Sequence, residues 1–326
     1  MTAIILVPTV TQTTTPDCEP SQFILPNLIN YCPYPLRQNR HCHTVARSSD
    51  QWLIDVTPQL AEPEIRGYEH TDMDTGTLAA VCYPDADEFH LRVCSDFLNW
   101  LFIVDDWMEY NVVDVRKTRE SCISALRDPI NFDAEQLGAK MCKSRFRETA
   151  GAGCIERFIH ASELFFAAVA KQVDDRSKGE YLELISLTEV ISHPVVVALQ
   201  DATNDHMVWS NDIFSYNMEQ SRGDVHWHNM VAVLMHERGL DLQGAIDYAG
   251  QMCQDAIQRF EYNRAMLPSW GAEVDRQVDI YVQGLQNIIV GPLHWQSKSA
   301  RYFGKDGHAV KWDRVVKLLP KGPRRA

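Results

Sequence analysis

The sequence predicts an all-α protein, and three observations carry that prediction. Apolar residues recur at intervals of three and four along one segment after another, the spacing that lines one face of a helix. Runs of β-branched residues are few, and no strand, glycine-rich loop and helix occur in succession. The periodic segments average about 15 to 20 residues, with no internal repeat or low-complexity linker between them, as in a bundle built as one unit.

Taken in order, residues 1–45 are rich in Pro, Thr and Asn, with Pro at 8, 16, 20, 26, 33 and 35. Such a stretch cannot sustain a long helix and reads as an arm laid over a core, leaving 46–326 as the helical domain. The helical pattern starts near 46, breaks at Asp55, Val56 and Pro58, and Thr71–Thr77 reads as a connecting loop. Pro84–Tyr110 is the first strong helix: acidic Asp87 and Glu88 suit its start, and Phe89, Val93, Phe97, Leu98, Leu101 and Phe102 follow at helical spacing. Further helices are predicted over Asp114–Leu126, Asp133–Thr149, Cys154–Val173, Glu180–Val190, Pro194–Gln220, Asn229–His236, Leu242–Leu267 and Glu273–Val290.

Composition narrows the function classes. The chain has 326 residues, enough for one large domain with a substantial core. Its 44 acidic and 31 basic residues give a formal charge of −13, and no run supplies the basic face a nucleic-acid binder needs. An anionic substrate stays compatible with that charge if metal ions bridge the two. The nine Cys are an odd number with no CxxC pair, which points to free, mostly buried thiols in a reducing compartment and away from structural zinc. The N-terminus lacks a basic start, and no window has the length of a membrane-spanning helix. The expectation is a cytoplasmic protein without an integral membrane segment.

Two stretches concentrate oxygen ligands. An apolar run ends in Asp105-Asp106-Trp107-Met108-Glu109, where Asp105 and Glu109 share a helix face and Asp106 lies one step round. Three carboxylates at the end of an apolar stripe call for a neutralising cation, and magnesium is commonly held by a few carboxylates plus substrate phosphates. A solvent-facing helix end is the alternative. In the second stretch, Asn211, Ser215 and Glu219 recur every four residues, aligning an amide oxygen, a hydroxyl and a carboxylate. Asp212 lies beside this stripe, either supporting it or as a surface charge. A half-exposed polar stripe is the alternative for this stretch. Arg222, three residues past Glu219, could reach a diphosphate oxygen from the same face, and Arg301 and Tyr302 are both able to donate to phosphate oxygens.

In this order the three elements resemble those of the fungal class I sesquiterpene synthases. Asp105–Glu109 corresponds to the family's aspartate-rich motif, Asn211, Ser215 and Glu219 to its NSE motif, and Arg301-Tyr302 to its late Arg-Tyr pair. Phe23–Leu28 is similar to the N-terminal arm. Val208–Gln220, Leu240–Gly250 and Gly291–Gly304 resemble basidiomycete enzymes that make protoilludene-type skeletons. The resemblance implies a class I terpenoid synthase bundle around a central apolar cavity, three Mg²⁺ ions and a lyase reaction. In that reaction farnesyl diphosphate is ionised and cyclised with release of diphosphate. It assigns Asp105, Asp106, Arg301 and Tyr302 to catalysis, and Asp105, Asp106, Glu109, Asn211, Ser215 and Glu219 to metal. Arg222, Arg301 and Tyr302 are assigned to the diphosphate. Phe89, Phe97, Trp100, Trp209, Phe214 and Trp295 are candidates to line the cavity.

One departure stands out. The family carries an Arg-containing segment between its two metal motifs, and here Ile185–Val190 runs quickly into His193-Pro194 without it. A catalytically impaired homologue is therefore a second expectation, and a prenyl chain-elongating enzyme a third. The Asn/Ser/Glu composition of the second motif disfavours the third, because chain elongation is expected to use two aspartate-rich motifs.

Overall fold

Helices dominate the computed structural model, which describes residues 21–56, 74–109, 115–128, 159, 162–163, 190, 193–221, 229–304 and 307–321. Strand β1 (Gln22–Ile24) and helix α1 (Leu28–Tyr31) lead into α2 (Cys42–Val56), α3 (Thr75–Cys82), α4 (Glu88–Glu109) and α5 (Val115–Arg127). After these come α6 (Pro194–Ser221), α7 (Met230–Arg238), α8 (Leu242–Ala265), α9 (Ala272–Gln296), α10 (Ala300–Phe303), α11 (Gly307–Asp313) and strand β2 (Val315–Lys317).

The local chemistry explains where the central helices begin and end. Pro194 opens α6 at the first helical position, where its missing N–H costs nothing, and the His193 carbonyl accepts from Val196 and Val197. Asn229 caps α7 by accepting from Val231, and Gly239 closes that helix at φ 63°. Asp241 caps α8 by accepting from Gly244.

Helix α6 is the spine, packing most extensively on α8 and also on α9 and α7. Ile213 and Phe214 of α6 share a buried cluster with Val231 and Leu234 of α7, Ala245, Ile246, Ala249 and Cys253 of α8, and Leu293 and Trp295 of α9. A second cluster joins Leu199 and Ala202 of α6 to Phe260 of α8 and Val278, Val282 and Ile289 of α9. Burying Phe260 completely contributes about 2 to 3 kcal/mol. At the α2–α3 crossing a Cβ on Gly76 would lie 2.3 Å from Ala46 Cβ, so that approach requires glycine.

The predicted helices over 84–110, 114–126, 194–220, 229–236, 242–267 and 273–290 all appear, most with ends shifted by one to four residues. The last continues six residues further, through Pro292, to Gln296. Three expectations need correction. Thr71–Thr77 is not wholly a loop, because α3 starts at Thr75; seven of its eight residues are buried, so its sequence has no polar face to mark it. Phe89 does not line a cavity: it sits in the first turn of α4 and is 44% exposed. Helix α2 also starts earlier than expected, at Cys42. The helices predicted over 133–149, 154–173 and 180–190 fall almost entirely outside the described residues.

Six described cysteines are free thiols, four of them buried, and burial pushes the Cys82 thiol up to about 12. Among the described residues no helix is long and apolar enough to cross a membrane.

Candidate metal and diphosphate site

One face of α6 carries Asn211, Ser215 and Glu219, one turn apart. Ser215 is buried, and Asn211 and Glu219 are half-buried. The Asn211 side-chain amide donates to the Tyr302 hydroxyl at 2.9 Å, which ties the triad helix to the Arg-Tyr element on α10. Accepting at its oxygen leaves the Tyr302 O–H free to donate onward. Burial raises the Tyr302 pKa, against the opposing pull of Arg301 and of the Asn211 hydrogen bond, so the phenol keeps its proton.

Aromatic packing brings α4 to the same place. The Arg301 guanidinium lies over the Phe102 ring, 4.9 Å from its centre, three residues before Asp105. Trp295 packs against Phe102 with ring centres 5.7 Å apart and meets Tyr302 edge-on at 5.8 Å. Its indole N–H donates to the Asp74 carbonyl at 2.9 Å, fixing the ring at the start of α3. Arg301-Tyr302 therefore sits between the helix of the acidic stretch and the helix of the triad. Of the acidic stretch itself, the backbone of Asp105, Asp106 and Glu109 forms the last turns of α4. Arg222 lies outside the described residues.

The triad's donor set suits a hard cation. It offers an amide oxygen, a hydroxyl and one carboxylate, all oxygen ligands. Among the described residues neither Asn211 Oδ1 nor Glu219 Oε1 has a hydrogen-bond partner, and no Lys or Arg pairs with Glu219. A half-buried carboxylate with an unengaged oxygen and no counter-charge is one that a cation would stabilise. Among the described residues no cluster of three His, Cys, Asp or Glu forms a metal site, and the triad supplies only one such residue.

Two residues that sequence reasoning left open or missed complete the site. The Asp212 carboxylate accepts from the Met230 N–H at 2.8 Å, and burial pushes its pKa up to about 7. Asn229 donates to the Asp212 carbonyl at 2.9 Å and to Glu219 Oε2 at 3.0 Å. The signal for Asn229 was its place immediately before the apolar run of α7, which marks a helix cap. Of the proposed lining aromatics, Trp100, Phe214 and Trp295 are buried and Phe97 and Trp209 half-buried. A hollow of about 620 Å³ lies elsewhere, lined by Glu261, Arg264, Asp275 and Asp279 and by none of the predicted site residues.

Comparison with known proteins decides the family. The family described as "Terpene synthase family 2, C-terminal metal binding" matches residues 184–259, which hold the triad. Sesquiterpene synthase Agr1 of Cyclocybe aegerita is 38% identical, over 92% of this chain and 94% of its own. The chain belongs to the terpene synthase family. Within it, the chain sits among the sesquiterpene synthases of basidiomycete type. Sesquiterpene synthase 1 of Postia placenta is 39% identical over 93% of this chain and 96% of its own, and alpha-muurolene synthase of Coprinopsis cinerea is 38% identical over 95% and 80%. The fold agrees with solved terpene synthases. A hedycaryol synthase structure matches with a TM-score of 0.66 at 18% identity, covering 84% of this chain and 97% of its own. Germacradien-4-ol synthase from Streptomyces citricolor matches with a TM-score of 0.67 at 18% identity, covering 81% and 96%. This terpene synthase is accordingly an all-α helical bundle of the class I type.

Proposed function

We propose that the chain ionises farnesyl diphosphate and cyclises the resulting allylic cation to a sesquiterpene, releasing diphosphate. The observation that supports this reading is the 2.9 Å hydrogen bond from Asn211 to Tyr302, which joins the residue proposed here as a diphosphate donor to the triad proposed here as metal ligands. Asn211, Ser215 and Glu219 would hold one group of magnesium ions and Asp105, Asp106 and Glu109 the other, three ions in all. Bound there, magnesium neutralises the negative charge that grows on the departing diphosphate.

The chain's own residues account for the rest. Arg301, with Arg222, contributes positive charge toward the diphosphate, and Tyr302 presents its retained proton to a diphosphate oxygen. Phe102, Phe214 and Trp295 keep water from the cation and offer π faces to it. A protoilludene-type skeleton is the product suggested by the resemblance of Val208–Gln220, Leu240–Gly250 and Gly291–Gly304.

One observation favours a second reading, a homologue impaired in ionisation. The 330 aligned positions shared with Agr1 take up 92% of 326 residues, about 300, so about 30 positions of that relative face no residue here. That number is large enough to include the Arg-containing segment expected from the family resemblance ahead of His193. Incubation of the purified protein with farnesyl diphosphate and magnesium, followed by gas chromatography with mass spectrometry, separates the readings. A cyclic hydrocarbon, lost by about 100-fold or more in Asn211→Ala at unchanged helical circular dichroism, is the expected outcome. No hydrocarbon and no released diphosphate would leave the impaired homologue. A longer prenyl diphosphate on addition of isopentenyl diphosphate would point to chain elongation.

A further inference from the structure

The metal triad does not stand alone on α6, because one amide ties its parts together. Asn229 is 1% exposed and lies in the turn that begins α7. Its Nδ2 donates to Glu219 Oε2 at 3.0 Å and to the Asp212 carbonyl at 2.9 Å, and lies 3.4 Å from Ser215 Oγ. Its Oδ1 accepts from the Val231 N–H at 2.9 Å. The neighbouring Met230 N–H donates to the Asp212 carboxylate at 2.8 Å, so the turn is fastened to α6 at both residues.

We propose that Asn229 is a positioning residue for the α6 metal ligands, acting through Glu219. The inference rests on the reading of Asn211, Ser215 and Glu219 as metal ligands. A glutamate carboxylate on a helix samples several rotamers, and each must be given up when a cation binds. Donation to Oε2 selects one rotamer in advance and leaves Oε1 open for the ion. The donor is a neutral amide, so it orients the carboxylate without cancelling its charge, as Lys or Arg at that place would. Groups that hydrogen-bond metal ligands in this way typically contribute 10- to 100-fold in metal affinity. The same amide nitrogen lies near the Ser215 hydroxyl, so a single side chain sets two of the three ligands relative to each other.

The test uses Mn²⁺ as a paramagnetic probe with inorganic diphosphate, counting free Mn²⁺ by electron paramagnetic resonance in the full-length protein. Asn229→Ser retains a short oxygen able to cap Val231 but loses the reach to Glu219. The proposal expects Mn²⁺ affinity to fall about 10- to 100-fold with only a small shift in melting temperature. It also expects Asn229→Ser to add little when Glu219→Gln is already present, because both remove one coupling. Affinity within two-fold of wild type, or a loss that adds in full to that of Glu219→Gln, would overturn it. Should Asn229→Ser not fold, Asn229→Asp keeps the size and the cap acceptor while removing the donor; failure of both to fold would mark Asn229 as a folding residue and also overturn the proposal. Wild-type Mn²⁺ affinity in both Glu219→Gln and Asn211→Ala would instead reject the triad as ligands, a different failure.

Discussion

His206 is 1% exposed on α6, and among the described residues neither of its ring nitrogens has a hydrogen-bond partner. Burial lowers its pKa from 6.5 to about 4, so the folded protein holds it neutral where an unfolded chain would protonate it. Between pH 6.5 and 4 the unfolded state therefore binds the extra proton. The stability associated with neutral His206 is present above pH 6.5 and is lost as pH falls toward 4. The shift corresponds to about 2 kcal/mol lost between pH 7 and pH 5. His206→Leu removes the titration and leaves no hydrogen bond broken, so urea unfolding of the variant should be flatter with pH by that amount. Equal pH dependence in both proteins would refute the assignment. His206 was not singled out from the sequence, where nothing distinguishes it from the eleven other His. The Asn211, Ser215 and Glu219 stripe was visible because a period of four fixes a helix face without knowledge of the fold. Asn229 was visible only as a cap, since its bond to Glu219 depends on how the chain returns from α6 to α7.

Among the elements, α2, α3 and α4 are joined by a buried polar network as well as by apolar packing. Asp96 of α4 is 1% exposed and accepts from Ser49 of α2 at 2.7 Å and from Arg92 at 2.6 Å. Asn99 donates to Ser49 at 3.0 Å and accepts from Thr75 at the start of α3. Arg92 is itself largely covered, so Asp96→Ala would strand its guanidinium and the Ser49 hydroxyl without that acceptor. The expected loss is about 3 kcal/mol in urea unfolding, and a loss below about 1 kcal/mol would show that the network is not coupled to folding. Because α4 ends at the acidic stretch, the same variant should also disturb the metal-dependent reaction. Long amphipathic helices such as α4 and α8 were readable from periodicity. The two strands were not, because each has three residues and its partner lies about 290 positions away, beyond any local pattern.

Across the whole molecule the two ends of the described chain hold each other and α6. Strand β1 pairs antiparallel with β2, Gln22 opposite Lys317 and Ile24 opposite Val315. Behind β2, Asn217 of α6 donates to the Lys317 carbonyl and accepts from the Leu319 N–H, both at 2.9 Å, and Gln220 donates to the Leu319 carbonyl. Asn217 lies between Ser215 and Glu219 in sequence, so the helix that presents the triad is anchored by its other face to the C-terminal strand. Phe23 adds an edge-on contact with Tyr216, 6.0 Å between ring centres. Deleting residues 315–326 would remove the partner of β1 and leave the Asn217 and Gln220 amides without their backbone partners. Each such loss costs about 1 to 3 kcal/mol, so a destabilisation of about 3 kcal/mol or more is expected, with a fall in Mn²⁺ affinity as α6 loses its support. Asn217→Leu separates the two effects: it keeps the strand pairing but removes two of the three hydrogen bonds to α6, and should weaken Mn²⁺ binding more than it lowers the melting temperature. Thermal melts and Mn²⁺ titrations of both variants decide the matter. Wild-type metal affinity in a folded truncated protein would show that the terminal strands support the fold without supporting the triad.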